Sequence, residues 1–138
     1  MEKSTHMLDW QPADAALAGL ALARALGTGD DAAIVAHLDA RQAQLGAAQM
    51  PMDVLLPVVS DMAEAADGFD TVLELIGSAA TPDTAAAIYA LSADYIALYG
   101  AVTAEEMRLL ERLGEALGLA RLTRAALDVA AQARAQEL

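Results

Sequence analysis

Residues 81–118 read TPDTAAAIYALSADYIALYGAVTAEEMRLLERLGEALG, two amphipathic helices joined by a tight loop. Thr81-Pro82 is a helix start, because a threonine oxygen can cap free backbone N–H groups and proline loses nothing at a first helical position. Ile88, Leu91, Tyr95 and Leu98 follow at spacings of three and four, which puts them on one face. Gly100 closes that helix through the left-handed conformation open to glycine. Thr103-Ala104-Glu105-Glu106 is a capping box, in which the Thr103 oxygen and the Glu106 carboxylate each satisfy an orphan donor. Met107, Leu110, Leu113 and Leu117 make the next stripe, and Gly114 beside it invites another helix to approach closely.

Upstream, Trp10-Gln11-Pro12 leads into a helix from about Pro12 to Leu26, which Gly27-Thr28-Gly29 breaks. Asp30 caps a second helix to about Leu45, with Ile34, Val35, Leu38 and Leu45 expected inward. Gly46 and Met50-Pro51 end it. A third carries Leu55, Val58, Val59 and Met62, with Pro57 either kinking it or marking its start. Asp67-Gly68 stops that helix, and a short fourth carries Val72, Leu73 and Ile76. Beyond Gly118 a last helix spans about Thr123 to Gln136, with Leu122, Ala126, Leu127 and Val129 available for packing. The expectation is an all-α, single-domain bundle of six to seven helices.

Composition agrees with this pattern. The 138 residues are 57% hydrophobic, mostly alanine and leucine, and only 4% aromatic, a balance that favours helix over sheet. There is no cysteine, which removes disulfides, thiolate metal sites and cysteine nucleophiles. A membrane-spanning helix needs roughly 20 predominantly apolar residues, and the longest uncharged runs here are far shorter. Met1 to Met7 lack the apolar core of a signal peptide; with Lys3 the sole lysine, they read as a tag remnant or disordered tail ahead of a domain over 8–138. A cytoplasmic location is expected, peripheral to the inner membrane only through a partner.

The formal net charge is −12. No Lys or Arg falls between Arg41 and Arg108, while ten acids do. Such a field repels phosphate backbones, so nucleic acid is not an expected partner; it favours cations or a basic protein surface. The alternative is that these acids are the wet faces of an alanine- and leucine-rich bundle.

An internal repeat is suggested at an offset of 73. Gly27 falls on Gly100, Asp30 on Thr103, Ile34 on Met107 and Leu22 on Tyr95, so a duplicated helix-loop-helix is one reading of the chain.

The run Tyr99-Gly100-Ala101-Val102-Thr103-Ala104-Glu105-Glu106, followed by Leu109-Leu110-Glu111-Arg112-Leu113 and Ala116-Leu117-Gly118-Leu119, resembles the tellurite-resistance TerB-like domain. The likeness covers about residues 87 to 127. It implies a helical module that binds a divalent cation, calcium or magnesium, through an Asp-Gly loop and a following Glu in each repeat, chemistry suited to a hard cation's need for carboxylate and carbonyl oxygens. The sequence departs from that motif: Tyr99 stands at the aspartate position and Ala101 after the glycine, while in the first half Leu26, Ala32 and Ala33 replace the acids. Asp67-Gly68, with Asp70 and Glu74, keeps the spacing elsewhere. Asp67, Asp70, Glu74 and Glu106 are therefore the candidate metal ligands, with Glu64 beside them. Read structurally, the same residues are a helix stop followed by acids that suit a helix dipole.

Other chemistry is sparse. His6 and His37 do not make a metal pair, and His37 reads as a partly buried structural residue. Neither a nucleophile elbow, a P-loop nor a dinucleotide fingerprint occurs. Glu105 and Glu106 point about 100° apart on a helix, which suits capping better than paired acid–base work. Met50, Met52, Met62 and Met107 read as core filler. Three functions follow: a non-catalytic TerB-like, stress-associated adaptor that binds a protein or a cation; a structural homo-oligomer, such as a homodimer; and a carboxylate-based hydrolase, which would need acids converging in one pocket.

Overall fold

The computed structural model describes residues 10–40, 45–46, 50–99 and 102–137. It is an all-α bundle. The described residues form α1 (Pro12–Ala25), α2 (Asp31–Ala40), α3 (Met52–Glu64), α4 (Gly68–Ala79), α5 (Ala85–Ala97), α6 (Ala104–Ala116) and α7 (Arg121–Glu137), with no strand among them. No helix among them is long and apolar enough to cross a membrane. Residues 1–7, residues 41–44 of the expected second helix, and Gly100 with Ala101 lie outside the described residues, while Leu45 is buried as expected.

The centre of the bundle is α1. Its sequence, PADAALAGLALARA, holds only Asp14 and Arg24 as charges, and each residue from Ala13 to Ala23 is buried. A helix apolar on all sides must be surrounded, and α1 packs against α2, α3, α4, α5 and α6. Burying each of Leu17, Leu20 and Leu22 contributes about 1.5–3 kcal/mol of transfer free energy. The one buried acid on α1 closes on backbone: Asp14 accepts from Gln11 N–H at 2.8 Å and from Met50 N–H at 3.0 Å.

A second buried axis is α5, which packs chiefly on α7 and α1 and less on α6 and α2. It begins later than Thr81-Pro82 predicts. Thr84 Oγ1 accepts from Thr81 N–H at 2.9 Å, and the Thr81 carbonyl accepts from Thr84 and Ala85 N–H at 3.0 Å. Residues 81–84 thus form their own turn ahead of the helix. Pro57 lies inside α3, whose first turn follows Pro51.

Three expected faces are turned. On α6 the buried stripe is Glu106, Leu109, Leu110, Leu113 and Leu117, while Met107 is 54% exposed. On α2, Ile34 is buried and Val35 exposed. On α7, Leu122 and Val129 point outward; the inward contacts come from Leu127, Ala131 and Ala135. Gly118, at φ +71°, closes α6 as expected, with Leu119 N–H donating to the Gly114 carbonyl at 3.0 Å.

The two segments of the suggested repeat share caps. Asp30 Oδ1 accepts from Ala33 N–H at 2.8 Å, and Thr103 Oγ1 accepts from Glu106 N–H at 3.1 Å. Leu22 and Tyr95 are both fully buried. Their registers then part, because buried Ile34 aligns with exposed Met107.

Candidate functional site

The cap of α6 grows into a buried polar node. Thr103 N–H donates to Glu106 Oε1 at 2.9 Å. From the loop after α1, Thr28 Oγ1 donates to Glu106 Oε2 at 2.5 Å, and the Tyr95 hydroxyl donates to the Thr28 carbonyl at 2.8 Å. Both oxygens of Glu106 are therefore held by the fold, and the residue is 7% exposed. His37 places its ring edge-on to Tyr95 at 5.4 Å and its Nδ1 2.9 Å from the Ala33 carbonyl, a partly buried structural histidine as expected. Burial, then the Tyr99 ring close by, push the Tyr95 phenol up to about 12. Tyr99 itself is half-exposed and lies tilted against Tyr95 at 5.5 Å.

The other predicted ligands lie elsewhere. Glu64 and Asp67 are exposed at the α3–α4 turn, and Asp70 and Glu74 are exposed on α4. Asp70 pairs with Arg112 of α6, and both line a shallow groove with Glu74 and Glu115. The fold thus brings Asp70 and Glu74 to one groove and turns Glu106 into the interior. Among the described residues no three His, Asp or Glu side chains come together as a metal-holding group.

A cleft of about 480 Å³ with a mostly apolar wall opens between α5, α6 and α7. Ala93, Val102, Met107, Leu110, Ala125 and Ala131 supply apolar wall, while Arg121, Glu115 and Gln132 stand among the polar lining residues. Within the wall the Tyr89 hydroxyl donates to Asp128 Oδ1 at 2.7 Å. Burial, first, and that bond to a carboxylate, second, raise the Tyr89 pKa far above its ordinary value, so the phenol stays a donor. Arg124 lies across Gly114, where a Cβ would collide with its side chain, and its Nη1 donates to the Glu111 carbonyl at 3.0 Å. The close approach expected at Gly114 is made by an arginine side chain.

Sequence reasoning passes over Tyr89, Thr28, Asp14 and Asp128. One signal was available for the node. At 100° per residue, Leu109, Leu110, Leu113 and Leu117 fan around the direction of Glu106, which places the capping glutamate at the centre of the buried arc. Tyr89 lies off the Ile88–Leu91–Tyr95 face, on a helix that is buried on both sides. No protein-family model, no curated protein and no solved structure matches the chain.

Proposed function

We propose that this chain is a non-catalytic binding module, TerB-like in its second half, whose working surface is the cleft between α5, α6 and α7. Its ligand is a small amphipathic molecule, with its apolar body against Met107, Leu110 and Ala125 and its polar end at the Tyr89–Asp128 pair. The observation that carries this reading is the cleft: an opening of about 480 Å³ with apolar wall and one hydroxyl–carboxylate pair set into it. Ligand clefts have this build, in the range of about 300–1,000 Å³ with few, fixed polar groups. The cleft is made by residues 89 to 132, which overlaps the stretch with the TerB-like resemblance. Glu106, by contrast, has both oxygens engaged within the fold.

The test is an amide NMR titration with a panel of short-chain aliphatic amines, alcohols and carboxylates. Shifts confined to Ala93, Met107, Ala125 and Gln132, and abolished when Met107→Trp fills the mouth, support the reading. A panel that moves none of these amides, or moves them equally in M107W, overturns it.

A further inference from the structure

The Tyr89–Asp128 pair offers the cleft acceptors and no donor. The Tyr89 hydroxyl gives its one proton to Asp128 Oδ1 at 2.7 Å, so the phenol oxygen has only lone pairs left for anything beside it. Burial and the neighbouring carboxylate keep that proton in place far above neutral pH. Asp128 is part-buried, and its second oxygen, Oδ2, takes no hydrogen bond or ion pair among the described residues. An ionised carboxylate accepts at both oxygens. Tyr89 therefore holds one side of Asp128 and leaves the other to the cleft.

The charges around the pair act in the same sense. Glu111, Glu115 and Asp128 line the cleft against Arg121 and Arg124, an excess of one acid. Arg124 is committed to the fold: its stem lies over Gly114, its Nη1 donates to the Glu111 carbonyl at 3.0 Å, and its Nε is closed to solvent. Arg121, Glu111 and Glu115 are exposed, where salt and water screen them. At the phenol oxygen the Asp128 carboxylate outweighs the Arg124 guanidinium, and Glu111 adds to it.

We infer, resting on the cleft reading above, that the ligand's polar end is a cation: a primary ammonium on an aliphatic body, donating to Asp128 Oδ2 and to the Tyr89 oxygen. An ammonium has three donors and no acceptor, which suits two open acceptors in an acidic field. A carboxylate head has no proton to give and is repelled, and a hydroxyl brings one donor and no charge. Hydrogen bonds between two ionised groups are the stronger kind, and a chain of net charge −12 raises the local concentration of cations.

The test titrates hexylamine, 1-hexanol and hexanoate separately into the full chain at neutral pH, followed by amide NMR. The three probes share an aliphatic body and differ in the head. Hexylamine is expected to move the amides of Met107, Ala125 and Asp128 and to bind about tenfold or more tighter than 1-hexanol, the scale of one hydrogen bond to a charged group. Asp128→Asn keeps an acceptor for Tyr89 but removes the charge, and is expected to bring hexylamine down to the level of the alcohol. 1-Hexanol or hexanoate binding as tightly as hexylamine overturns this inference and leaves the cleft reading standing. So does an amine preference that survives in Asp128→Asn, or one whose shifts fall on the acidic faces of α3 and α4 instead of the cleft. Silence from all three probes overturns the cleft reading itself. The comparison of heads and the location of the shifts are read on the unaltered chain, so they decide the matter even if the variant does not fold.

Discussion

Two regions of the molecule set a hydroxyl against a carboxylate, and they put it to different use. Around Glu106, Thr28 Oγ1 donates at 2.5 Å and the Thr103 amide at 2.9 Å. Around Asp128, Tyr89 donates at 2.7 Å in the wall of an open cleft. The difference lies in where each acid sits on its helix. Glu106 is in the first turn of α6, where backbone N–H groups have no intrahelical partner and claim a carboxylate. Asp128 is in the middle of α7, where the backbone is already paired, so only side chains, water or a ligand can engage it. The carboxylate at the helix start is held by a backbone donor as well as a hydroxyl, and the one at mid-helix by the Tyr89 side chain.

This contrast can be broken by substitution. Glu106→Ala leaves the buried Thr28 hydroxyl and the part-buried Thr103 amide without their acceptor, and the expected loss is about 2–3 kcal/mol, read by urea unfolding at neutral pH. A loss under about 0.5 kcal/mol, the level of an ordinary surface change, would mean that the node is not a structural tie. Gly29→Ala comes next. Gly29 has φ +70°, and a Cβ there would collide with the Tyr95 hydroxyl, so about 2 kcal/mol is expected from strain and the displaced phenol. Here the sharper readout is the Tyr95 ring itself, whose NMR shifts should move while those of Tyr89 stay.

Alkaline pH acts on both regions. Tyr95 and Tyr89 are protonated in the fold at pH values where an unfolded tyrosine, near 10, would ionise. Because the folded pKa is the higher one, their contribution is complete below about pH 10 and is lost as pH rises through the Tyr95 value of about 12. Absorbance at the phenolate band should therefore rise together with loss of helical circular dichroism for these two residues. Ionisation of Tyr89 and Tyr95 near pH 10 with the fold intact would contradict this. Tyr89→Phe is expected to cost about 1.5–2 kcal/mol, the low end for a hydrogen bond to a charged group, and to weaken ligand capture in the cleft without disturbing the Glu106 node. Asp70→Asn removes a half-exposed ion pair with Arg112 and should change stability by less than about 0.5 kcal/mol in calorimetry.

The fold could be read from the sequence because its signals are local. Asp30 and Thr103 cap, Gly118 stops, and the near absence of charge in α1 announces burial. The choice of face was harder. On α6, spacings of three and four fit both Met107 with Leu110 and Leu109 with Leu113, and only packing against α4 and α5 decides for Leu109. On α7 the eye follows Leu122 and Val129, but the inward face is built from Leu127, alanines and the stem of Arg124. The cleft was less readable still. Tyr89 and Asp128 are 39 residues apart, and no spacing rule links two helices that meet only in the finished bundle.

The burial of α1 has a consequence for the order in which the chain is made. This helix leaves the ribosome before the partners that enclose it, and α5 (Ala85–Ala97), one of the walls it rests on, is synthesised last but two of the seven. At roughly 5–20 residues per second of translation, the alanine- and leucine-rich segment waits on the order of several seconds with the side that α5 covers still open. The helix that holds the finished molecule together is thus one whose cover is completed only when most of the chain has been made.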